Sequence, residues 1–110
     1  MTRDDVFRII DLASNQVLQY QEQSVNGIKR IEHVVPFVDG DYSLSVWAFY
    51  ATDEDMQKGS SVEESFRSDY VSALRNHGYD PAWLGKVGFV FDSIENVDTN
   101  FEGSFFYRMR

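Results

Sequence analysis

Apolar residues recur at three- and four-residue intervals near the start of the chain, at Val6, Ile9, Ile10, Ala13 and Val17. That spacing predicts an amphipathic helix over residues 3–22. Thr2 followed by Asp5 matches a capping box, and Asp4 and Asp5 suit the positive end of the helix dipole. Asn26-Gly27 punctuates the end of this segment. A β-branched stretch over 28–38, holding Ile31, Val34 and Val35, predicts a first strand, and Asp39-Gly40 tolerates the positive φ of a hairpin turn. Residues 42–51 give the clearest strand. Tyr42, Leu44, Val46, Ala48 and Tyr50 fall on one side, and Ser43, Ser45, Trp47 and Phe49 on the other. The second side begins polar and turns aromatic, so one end of this strand is expected to be covered on both faces.

Residues 52–60 read as a polar, acidic loop. Ser61 with Glu64 repeats the capping-box pattern, and Val62, Phe66, Tyr70, Ala73, Leu74 and His77 mark a second amphipathic helix closed by Gly78. Asp80-Pro81 starts a short helical turn through Trp83 and Leu84. Residues 86–94 alternate as a third strand, 95–100 form a turn-rich acidic connection, and 101–109, with Phe105-Phe106-Tyr107, read as a last strand. The order α-β-β-α-β-β, with short links between strands, predicts an α+β fold in one domain, residues 1–110. Its antiparallel sheet has about four strands, with two helices packed on one face. Trp47, Phe49 or the last strand would leave an apolar contact patch on the other face.

The chain has 110 residues, 43% hydrophobic and 15% aromatic, enough to build a core without staples. It has no cysteine, which removes disulfides, thiolate metal sites and Cys nucleophiles. No signal peptide is visible and no apolar run approaches a membrane span of roughly 18 residues, so a cytoplasmic protein that does not engage a membrane is expected. Catalytic equipment is sparse. The only imidazoles are His33 and His77, and no Gly-x-Ser-x-Gly elbow, His-Glu-x-x-His motif or EF-hand loop occurs. Gly85-Lys86 lacks the preceding glycine of a P-loop, and Asp53-Glu54-Asp55 lacks the spacing of a calcium loop. Neither an enzyme, a metal site nor a cofactor is expected.

Eighteen acidic against ten basic side chains leave a net charge of −8, which disfavours nucleic acid and favours a cationic partner. The acids are concentrated. Asp39, Asp41, Asp53, Glu54, Asp55, Glu63 and Glu64 face Lys58 alone over residues 39–64, and Asp92, Glu95, Asp98 and Glu102 face no base over 92–102. Acids steer a basic partner and aromatics anchor it. The candidate partner-binding residues are therefore Asp39, Asp41, Asp53, Glu54, Asp55 and Glu64, then Asp92, Glu95 and Asp98, with Trp47 and Tyr50 as anchors.

The closing stretch, Val87-Gly88-Phe89-Val90-Phe91-Asp92-Ser93-Ile94-Glu95-Asn96-Val97-Asp98 through Phe105-Phe106-Tyr107, resembles the end of bacterial immunity proteins. These neutralise polymorphic or contact-dependent growth inhibition toxins. Small size, acidity, absence of cysteine and absence of a catalytic motif fit the same resemblance. It implies tight binding to a cognate toxin domain, often a nuclease with a basic active site, and transfers no residue role by position. An acidic nucleic-acid mimic or regulatory adaptor is the alternative, and a small enzyme or ligand-binding domain ranks third.

Overall fold

The computed structural model describes residues 1–24 and 26–110, with Ser60 described by its backbone alone. In chain order the described elements are α1 (Arg3–Gln21), β1 (Ile28–Val34), β2 (Ser45–Tyr50), α2 (Asp53–Lys58), α3 (Ser60–Asn76), α4 (Pro81–Leu84), β3 (Gly88–Ser93), α5 (Ile94–Asn100) and α6 (Phe105–Arg108). The fold is α+β, with three strands and six helices among the described residues.

Local sequence accounts for most of the helix ends. The Thr2 hydroxyl accepts from the Asp5 N–H at 3.2 Å while the Asp5 carboxylate accepts from the Thr2 N–H at 3.0 Å, completing the capping box of α1. α3 closes on Gly78 at φ +93°, with Tyr79 N–H donating to the Leu74 carbonyl and Gly78 N–H to that of Arg75. That is a Schellman motif, and the buried Leu74 and Tyr79 supply the apolar contact that accompanies it. Asp80 caps α4 through Ala82 N–H, with Pro81 in the first turn. At the start of α3 the expected Ser61–Glu64 box does not form. The helix begins at Ser60, two residues before the start that box implies, with Gly59 at the cap position and no side-chain cap among the described residues.

The sheet departs from expectation in number and direction. Its order is β1-β2-β3, with β1 antiparallel and β3 parallel to the central β2. Ile28 lies opposite Tyr50 and Val34 opposite Ser45 in one ladder, while Ser45 meets Gly88 and Tyr50 meets Ser93 in the other. A parallel neighbour requires a long crossover, which α2, α3 and α4 provide. Asp39-Gly40 does form a turn, with Asp41 N–H bonded to the Val38 carbonyl at 3.0 Å and Gly40 at φ +80°. It lies inside a wider loop, because β1 ends at Val34 and β2 begins only at Ser45.

One face of the sheet carries the core. Val46 and Ala48 of β2, with Ile28 of β1, pack against Val6, Ile10 and Ala13 of α1 and Phe66, Tyr70 and Leu74 of α3. Phe66 meets Phe89 and Phe91 of β3 edge-on at centroid distances of 6.1 and 5.7 Å, a geometry that adds to area burial. Three deeply buried tyrosines place their hydroxyls on partners. Tyr50 donates to the Gly59 carbonyl at 3.1 Å, Tyr79 to the Tyr42 carbonyl at 2.5 Å, and Tyr70 shares a 2.6 Å bond with Ser14.

The opposite face is covered by the C-terminal segment, which is helical rather than the expected fourth strand. Ser104 caps α6 by accepting from Tyr107 N–H, after a turn in which Glu102 and Gly103 both take positive φ. A helical turn puts positions three apart on one side. Phe105 accordingly stands edge-on to Phe49 at 4.8 Å, and the Arg108 guanidinium lies 5.0 Å from the Trp47 ring. Arg108 also forms an ion pair with Asp92 of β3, whose carboxylate further accepts from Ser93 N–H and twice from the Asn96 amide. Arg30 of β1 caps the stack, 3.7 Å from the Phe105 ring.

Removing Arg108 would leave Asp92, 5% exposed, without its counter-charge. Arg108→Ala is expected to cost roughly 3 kcal/mol in urea unfolding. Asp92→Asn/Arg108→Met should cost less than Arg108→Ala alone, and the reverse ranking would show that charge burial is not what ties α6 down. Burial pushes the hydroxyls of Tyr50, Tyr70 and Tyr79 up to about 12 from the ordinary value of 10.0. Their neutral form is the one the fold keeps, so this contribution is complete below pH 10 and is lost as pH rises through about 12. Ultraviolet titration should show a late phenolate step coincident with falling stability. A single step at the ordinary phenol value with the fold intact would contradict this packing.

Candidate protein-binding surface

Two strands that run parallel have their exits at the same end of the sheet. β2 leaves at Tyr50 and β3 at Ser93, directly opposite one another, and each is followed at once by a short helix with acids in its first turn. Thr52 caps α2 by accepting from Asp55 N–H at 3.1 Å, and Ser93 caps α5 by accepting from Asn96 N–H at 2.9 Å. Carboxylates are favoured at such helix starts by the dipole, which explains why acids are tolerated there in a run.

The two caps are stitched together. Glu95 accepts from Asp53 N–H at 3.1 Å and its own N–H donates to the Ala51 carbonyl at 3.1 Å, while the Ser93 hydroxyl donates to the Asp53 carboxylate. Residues 53–55 and 95–98, forty positions apart in sequence, therefore share one end of the molecule. Asp53, Glu54, Asp55, Glu95 and Asp98 stand there with one cation on these two helices, Lys58. Glu54 already holds that ammonium at 3.0 Å, which lowers the Glu54 carboxyl and raises Lys58. Asp98 lies one turn beyond Glu95 on α5, on the same side of that helix.

The other candidates fall elsewhere. Asp41 is at the entrance end of β2, its carboxylate accepting from the Ser43 hydroxyl at 2.7 Å and the Ser43 N–H at 3.0 Å. Those bonds, aided by the charge of Lys86, hold the Asp41 carboxyl below its ordinary value. Asp39 is exposed in the same loop, and Glu64 is exposed early in α3. The acidic stretch 39–64 is thus divided between the two ends of β2, and only its second part joins the 92–102 stretch.

Two candidates are withdrawn from contact with a partner. Tyr50 is fully buried, its ring facing α1 and α3 because it continues the Val46–Ala48 side of β2. Gly59 is packed so closely on that ring that an added Cβ would fall within 2.6 Å of the phenol carbons. Asp92 is buried under α6 and neutralised by Arg108, so it contributes structure and not an acidic surface. Trp47 is half-buried, stacked on Phe49 at 6.5 Å with Arg108 across it, which leaves only part of its edge to solvent.

The imidazoles lie apart from these acids. His33 packs against Phe7 at 5.9 Å and His77 is hydrogen-bonded to Gln16 at 3.1 Å. Among the described residues neither is hydrogen-bonded to a carboxylate, and no group of three or more His, Asp or Glu is arranged to hold a metal ion. No described helix is long and apolar enough to cross a membrane.

An apolar groove of about 320 Å³ was not legible in the sequence. It runs beside the end of β1, between Phe7, Val34, Phe37, Phe106 and Met109. Its residues come from three distant segments, so no local periodicity announces it. No protein-family model, curated protein or solved structure matches this chain.

Proposed function

We propose that this chain is a protein-binding module whose acidic end, built on α2 and α5, captures a basic protein surface. The convergence of residues 53–55 and 95–98 at the exits of β2 and β3 is the observation that carries this reading. The net charge of −8 steers a cationic partner from a distance, and the capped, cross-linked helix starts present the acids on a rigid frame, which limits the entropy lost on binding. With the resemblance of the C-terminal stretch, the function that fits best is that of a cytoplasmic immunity protein occluding a basic toxin domain. A nucleic-acid mimic fits less well. It needs carboxylates spaced along an extended surface like phosphates, whereas here they gather at the ends of the strands.

Within the acidic end, Asp53 and Glu95 also make the bonds that join α2 to α5, while Glu54 and Asp98 are exposed. The informative variant is therefore Glu54→Lys/Asp98→Lys. Against a basic toxin domain encoded beside this gene, it should associate about tenfold more slowly at low salt, with a shallower salt dependence and little change in dissociation rate. Loss of protection in co-expressing cells should follow. Unchanged association at low salt would remove this end of the molecule as the binding surface.

A further inference from the structure

β1 is an edge strand. Six of its seven residues, all but Lys29, pair with β2 on one side, and among the described residues no backbone bond leaves Lys29–Val34 on the other. Open edges invite pairing, and proteins usually blunt them with like charges, bulges or prolines. Here the protection is partial. A bulge lies between Ile28 and Arg30, but the remaining stretch, Arg30-Ile31-Glu32-His33-Val34, carries one basic and one acidic residue symmetrically about Ile31. Arg30 and Glu32 share the α6 side of the sheet, since they lie opposite Phe49 and Trp47. They already contact each other at 2.7 Å.

We propose that the chain associates with a second copy of itself by antiparallel pairing of β1 with β1 of the other copy, joining two three-stranded sheets into one. The strand's own charges select the register. Residues directly opposite in an antiparallel pair must point to the same face, so a two-fold axis normal to the sheet passes through a residue position. An axis at Arg30 sets two guanidinium groups opposite each other, and one at Glu32 sets two carboxylates opposite. An axis at His33 puts Glu32 against Val34. Only the axis at Ile31 puts each Arg30 opposite a Glu32, twice over, with Ile31 facing its own copy on the core side. Opposite charges directly across a ladder stabilise it, and like charges oppose it.

The surroundings of the edge suit such a neighbour. In that register the start of the second strand passes the His33–Val34 end of the first, beside the apolar groove. Val34, Phe37 and Phe106 there are 41%, 94% and 71% exposed. Exposed apolar surface concentrated next to an open strand is the mark of an interface. A foreign peptide would gain the same backbone bonds but would have to supply both charges in the right order, which a second copy does by symmetry. The acidic end on α2 and α5 belongs to the exits of β2 and β3 and does not take part, so this pairing stands independently of the proposed partner.

Sedimentation equilibrium of the full chain tests the pairing. The wild type should be dimeric at roughly 100 µM. Arg30→Glu and Glu32→Arg should each raise the dimer Kd about tenfold, because every cross-strand pair becomes repulsive. The exchange variant Arg30→Glu/Glu32→Arg should restore it. Amide exchange of the wild type should show protection within residues 29–34 that grows with concentration, a readout that does not depend on any variant folding. A monomeric wild type, a dimer indifferent to the single changes, a failure of the exchange to restore it, or edge amides insensitive to concentration would each overturn the proposal.

Discussion

Parallel pairing of β2 with β3 is the constraint from which the other features follow. Hydrogen-bonded parallel strands cannot be joined by a hairpin, so the chain between them must travel back along the sheet, and the length from Ala51 to Val87 is spent on α2, α3 and α4. Because Tyr50 and Ser93 are register partners, whatever follows each strand emerges at one end. The acids after Tyr50 and those after Ser93 thus become neighbours through backbone topology, and the bonds among Asp53, Ser93 and Glu95 fix them there. With β3 on one side of β2 and β1 on the other, β1 is left at an edge.

The same arrangement decides which acids are surface and which are structure. Asp92 alternates with Phe91 along β3, so it faces away from the helical core and toward the C-terminal segment. Buried there, it needs a counter-charge, and Arg108 on α6 supplies it while lying against Trp47 and Phe101. A carboxylate counted among the surface acids from sequence is therefore the anchor that seats the last helix. The aromatic residues next to it are divided in the same way, Phe105 going onto Phe49 while Phe106 and Tyr107 stay exposed.

Much of the fold was legible because its signals are local. The capping box at Thr2, the helical spacing of α1 and α3, Gly78 at the end of α3, Asp80-Pro81 and the alternation around Val46 all act within a few residues. The short helices α2, α5 and α6 were not. α2 was hidden in a polar stretch that reads as a loop, its markers being the Thr52 cap and the acids that follow it. α5, capped by Ser93, reads as a turn-rich connection, and α6, capped by Ser104, lies in a segment whose bulky aromatic run makes it look like a strand. Strand direction was missed because short links were weighed over the long crossover. The candidate surface was half legible: charge density located the acids, but only tertiary pairing separates Asp39 and Asp41 from Asp53–Asp55 and buries Tyr50 and Asp92.

Because the chain has no cysteine, single thiols can be introduced in pairs for spin labelling. The most direct test of the account is the pulsed electron–electron distance in Glu54→Cys/Asp98→Cys compared with Asp39→Cys/Asp98→Cys. Parallel pairing of β2 with β3 predicts that the first distance is the shorter, by about the length of a six-residue strand, roughly 16 Å. A first distance equal to or longer than the second would mean that the strands leave at opposite ends, and the shared acidic surface would not exist.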